Sequence, residues 1–201
     1  MTKVLRSLCL VAFLATNSAV ATTLPPIPIA ELFKDADIVV VAEVTRGELI
    51  GLGEETCGAK YSAHVEESFK GSRKGDTIEF GNFYGYQLGG RYVLFLAKPG
   101  RTHEPMMSTN SMQLRAREQM QARCAAKLMR NTVMHSGNGA LQIHWTGKFD
   151  YKDGVRVPTR YVVLPQDAPT TPAIASEPEE FSGVVWVKLE DMLLLLRGLG
   201  R

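Results

Sequence analysis

The chain has 201 residues, 45% of them hydrophobic, and carries 23 Lys plus Arg against 21 Asp plus Glu for a formal net charge of +2. That length and apolar share are enough for one sizeable domain that buries its own core. A charge this close to zero provides no global field for nucleic acid or an anionic membrane, and argues against both as partners.

The chain opens with Lys3 and Arg6, an apolar run over residues 8–15, and Ala19-Val20-Ala21. A basic start, a short apolar stretch and an A-x-A exit are the pattern of a secretory signal peptide cut between Ala21 and Thr22. The run is far short of the roughly 20 residues that span a bilayer, so no transmembrane anchor is expected in the mature form. Losing Lys3 and Arg6 takes Lys plus Arg from 23 to 21, against 21 acidic residues, so the expected mature chain is neutral. Its expected location is the periplasm or the exterior of the cell.

Cys9 leaves with the leader, and Cys57 and Cys124 remain. An even count in an oxidising compartment makes a Cys57–Cys124 disulfide the default, worth about 4 kcal/mol on chain-entropy grounds. The rival reading is two buried free thiols.

The proline-rich residues 22–28 should run extended, followed by a short helix over 29–33. Residues 37–44 (Asp-Ile-Val-Val-Val-Ala-Glu-Val) are β-branched and almost wholly apolar, which predicts a strand covered on both faces. Gly47, Gly51, Gly53 and Gly58 mark 47–58 as a loop. Residues 60–69 alternate, with Tyr61, Ala63 and Val65 on one face and Lys60, Ser62, His64 and Glu66 on the other, a half-buried strand. A tight connection over 70–76 leads to a strand at 77–80, and residues 91–96 form another apolar strand before Pro99-Gly100. Five strand-like pieces by residue 100 favour a small barrel.

Residues 111–130 contain no Gly or Pro and predict a helix with Cys124, Leu128 and Met129 on its apolar side. Residues 140–145 and 159–164 read as strands flanking an Asp153-Gly154 hairpin signal. Four prolines between 165 and 178 mark an irregular segment. Residues 184–187 form a last strand, and a short docking helix occupies 189–199.

The ordered run of residues 36–44, 61–65, Phe69-Lys70-Gly71, Gly75-Asp76-Thr77-Ile78 and 90–96 resembles the bacterial exported branch of the netrin-like / tissue-inhibitor-of-metalloproteinase (TIMP-like) superfamily. The match covers about residues 29–97. The resemblance implies a five-stranded OB-like Greek-key barrel over 29–97. The helix, β-hairpin and C-terminal helix of 111–201 are then appended to it, within one β-rich α+β domain over 22–201. The animal inhibitors chelate a protease zinc through an N-terminal cysteine. The expected start here is Thr22-Thr23-Leu24-Pro25, so that activity is not carried over.

No catalytic set emerges. His64 belongs to a polar strand face. His135 and His144 with Cys124 or Asp150 match no zinc spacing, so neither metal nor cofactor is expected. There is no G-x-S-x-G, and Cys57 is better explained by its cystine than as a nucleophile with His64. Phe83, Tyr84 and Tyr86 form an aromatic cluster, a candidate interaction patch or plain barrel packing. The leading expectation is a non-enzymatic binding protein with a protein partner. The alternative is an envelope-associated hydrolase or accessory enzyme whose residues cannot be picked out.

Overall fold

A computed structural model describes residues 25–52, 55–82, 85–98, 131–145, 152–172 and 183–201. The expected leader with its expected Ala21/Thr22 cleavage site, the helix expected over 111–130, Phe83, Tyr84 and Cys124 lie outside the described residues, as does the side chain of Cys57.

In chain order the elements are β1 (Ile27–Pro28), α1 (Ile29–Asp35), β2 (Ile38–Leu52), β3 (Glu55–Lys70), β4 (Thr77–Asn82), β5 (Arg91–Ala97) and β6 (Thr132–Val133). They continue with β7 (Ala140–Trp145), β8 (Asp153–Pro158), β9 (Val162–Val163), β10 (Thr171–Pro172), β11 (Val184–Lys188) and α2 (Leu189–Leu199). Strands β2, β3, β4, β6 and β5 pair in that cyclic order and close on β2, with β4–β6 parallel and the other pairs antiparallel. The result is a closed five-stranded, OB-like barrel. From β5 the sheet continues outward through β7, β8, β11 and β10.

The apolar run of β2 is explained by burial on both sides. Val40, Ala42 and Val44 point into the barrel with Ala63, Val65, Phe80, Leu94 and Leu96. Val39 and Val41, one residue out of phase, join Val93, Phe95, Leu141, Val155 and Val187 in a second core that α1 and α2 cover. Met192 and Leu196 of α2 are fully buried there. Lys70 reaches from β3 to the C-terminal end of α1, donating to the Phe33 and Lys34 carbonyls at 3.2 and 2.8 Å.

The structure departs from expectation in four places. Residues 47–58 do not form a loop; β2 runs to Leu52 and β3 starts at Glu55, so both arms of a long hairpin pass through them. Gly47 and Gly51 serve the sheet: a Cβ on Gly47 would lie 3.1 Å from the Tyr61 ring, and the register shifts between Ile50 and Gly51. Asp153-Gly154 is not a turn but the start of β8, where Gly154 pairs with both His144 and Lys188. The strand expected over 159–164 shrinks to Val162–Val163, because the chain turns after Pro158, whose carbonyl accepts from Tyr161 N. The barrel also draws its closing strand from beyond 29–97: four strands come from that span and Thr132–Val133 supplies the fifth. Two residues carry no periodicity to read.

Candidate functional site: the open face of the sheet extension

Alternation along β7 and β8 decides what the uncovered face presents. Leu141, Ile143, Val155 and Val157 turn toward the helices. Gln142, His144 and Arg156 therefore turn the other way. Register puts Tyr92 of β5 beside Gln142, and Trp186 of β11 beside Arg156. The His144 ring meets Trp186 edge-on at 5.5 Å. Burial, and secondarily the charge of Arg156, hold the His144 imidazole below its ordinary pKa.

The barrel mouth forms one wall. Tyr86 packs its ring against Tyr61 at 5.0 Å, Phe80 at 5.3 Å and Tyr92 at 5.3 Å. Two backbone bonds fix the segment that carries it: Tyr86 N donates to Tyr61 Oη at 3.3 Å and Gln87 N to Tyr92 Oη at 3.1 Å. Tyr86 is thus a half-buried cap on the barrel as well as a wall residue. Of the expected aromatic patch, it is the member among the described residues.

Two clefts open on this face. A cleft of about 390 Å³ is bounded by Tyr86, Tyr92, Gln142, Arg156, Arg160 and Tyr161. A shallower groove of about 290 Å³ runs along the rim past Gln87, Leu88, Gln142, His144, Trp145 and Asp153. Gln142 lines both, so they adjoin. Five large apolar side chains among the described residues are exposed, and two of them, Leu88 at 60% and Trp145 at 74%, share this rim groove. Isolated exposed apolar residues are ordinary, but a Trp and a Leu on the same concavity form a patch.

The strand ends beneath the groove are fixed by charge. Arg91 of β5 forks onto Glu66 of β3 at 2.8 to 3.1 Å and reaches Asp153 of β8 at 2.9 Å. The hydrogen bond to Glu66 raises the Arg91 pKa most; burial opposes it and Asp153 adds to it. The pair ties the barrel wall to the extension.

The site residues named from sequence fare differently. His64 is exposed on β3 and faces solvent. No group of three His, Cys, Asp or Glu able to hold a metal, with His135 or His144 in it, occurs among the described residues. Sequence reasoning passed over Leu88, Trp145, Gln142, Arg156 and Arg160. They come from three separate stretches of chain, and only the register of β5, β7 and β8 brings them together. Among the described residues no helix is long and apolar enough to cross a membrane. No protein-family model, curated protein or solved structure matches the chain.

Proposed function

We propose that this chain is an exported, non-enzymatic interaction protein of the netrin-like / TIMP-like kind, working in the periplasm or outside the cell with its Cys57 and Cys124 joined. Its partner is a polypeptide engaged at the rim groove. The observation that carries the reading is the pairing of Trp145 with Leu88 on one exposed concavity, bordered by Gln87, Gln142 and His144. A large ring and an aliphatic side chain ringed by polar groups is the make-up of a protein-binding anchor, and Trp dominates such anchors energetically. The groove stands on strand ends joined by the ion pairs of Arg91 with Glu66 and Asp153, which favour a preformed site.

The test is affinity capture from an envelope fraction by the processed chain, run beside Trp145→Ala and Leu88→Ser. A partner retained by the wild type should bind the Trp145→Ala variant about thirtyfold more weakly, the effect of losing about 2 kcal/mol at a central anchor. An identical set of retained proteins for all three chains would refute the assignment of the groove. N-terminal sequencing of protein from that fraction should begin at Thr22; an intact Met1 would refute export.

A further inference from the structure

We infer that the 390 Å³ cleft beside the rim groove is a carboxylate-binding site, taking a terminal or side-chain carboxylate of the partner. Only the source of the carboxylate rests on the interaction reading above; the cleft's chemistry is independent of it.

The cleft lies within the size range of small-ligand sites. Its polar lining is rich in donors: the guanidinium groups of Arg156 and Arg160 and the carboxamides of Gln142 and Asn138, beside the rings of Tyr86 and Tyr161. No Asp or Glu occurs among the described residues that line it. A guanidinium carries five N–H donors, so Arg156 and Arg160 can serve neighbours in the fold and still fork onto a ligand. The charge of Arg156 is felt as far as His144, where it disfavours a second cation on the same face.

A planar, singly charged group matches a guanidinium fork. The tyrosine rings suit the carbon stem that bears it. A guanidinium fork suits phosphate too, but phosphate sites commonly add a helix N-terminus, and α1 and α2 both pack on the opposite face of the sheet. Gln142 joins the cleft to the Trp145 groove, so one short peptide can set an apolar side chain on the rim and its carboxylate among the arginines.

The test follows the Gln142 side-chain amide by NMR in the full chain during four titrations. The probes are N-acetyl-leucyl-leucine, its C-terminal amide, N-acetyl-glutamyl-leucine amide and inorganic phosphate. At least one acid should bind ten times more tightly than the neutral amide. Tighter binding of the first identifies a chain terminus as the source, and of the third an acidic side chain. Arg156→Gln and Arg160→Gln should each weaken the acid ten- to a hundredfold, the range for one charge-assisted contact. Arg160 lies in an exposed turn, so its variant keeps the test open if the half-buried Arg156 variant fails to fold. Equal affinity for acid and amide, tighter binding of phosphate than of either acid, or an unchanged affinity in folded Arg160→Gln would overturn the inference.

Discussion

At the scale of single residues, His144 gives the open face a pH signature. Its folded pKa lies below the ordinary 6.5 through burial first and Arg156 second. Below about pH 6.5 the unfolded chain therefore holds a proton that the folded chain resists. The stability it allows is complete above that pH and is lost as the pH falls toward the folded value. Urea unfolding at a series of pH values should show the wild type weakening faster than His144→Gln as the pH falls below about 6.5; parallel slopes would refute the burial argument. Gly71 presents a different constraint. Its φ is +72°, and a Cβ there would lie 2.0 Å from the Asp37 carbonyl oxygen, which belongs to rigid backbone. Gly71→Ala should cost more than about 2 kcal/mol in the same assay, whereas Gly75→Ala has open space and a positive φ only, and should cost about 1 kcal/mol.

Among the elements, legibility followed how many residues shared one environment. The middle of β2 and all of β5 were readable because each buries both faces over six or more residues, and no helix or loop explains such a run of β-branched and apolar side chains. The outer hairpin arms escape the sequence pattern because glycine reads as a break. Gly47 is instead the space into which the Tyr61 ring fits. The closing strand β6 is two residues long, so nothing in its own sequence distinguishes it; β4 and β5 define it. The site was less legible than the fold. Tyr86 could be singled out from a local aromatic cluster, but Trp145, Leu88 and the arginines acquire meaning only from register. The last helix was readable by composition, and its role is now specific. Glu190 and Asp191 sit in the first turn of α2 and Arg197 in the last, as the helix dipole favours, while Met192 and Leu196 seal the outer core. Leu196→Ala should destabilise by about 3 kcal/mol by denaturant unfolding, the usual cost of a buried leucine cavity. Leu194→Ala, 62% exposed on the same helix, should change stability by less than about 0.5 kcal/mol.

For the molecule as a whole, the decisive fact is that its two cores have no strands to divide between them. Val39, Val41, Val93 and Phe95 belong to the outer core, and Val40, Ala42, Leu94 and Leu96, their immediate neighbours in sequence, belong to the barrel interior. Neither β2 nor β5 can leave one core while remaining in the other, since peeling either strand exposes both faces at once. Arg91, with Glu66 on the barrel side and Asp153 on the extension, adds a second tie across the same seam. Barrel and extension should therefore unfold in one transition. Trp145 and Trp186 are both on the extension, so tryptophan fluorescence reports that half, while far-UV circular dichroism weighs every strand. The two probes should give coincident urea curves, and should still coincide, with an unchanged m-value, after Phe80→Ala in the barrel or Leu196→Ala outside it. A fluorescence transition that separates from the dichroism transition in either variant would show that the extension unfolds by itself, and that the shared strands do not couple the two cores.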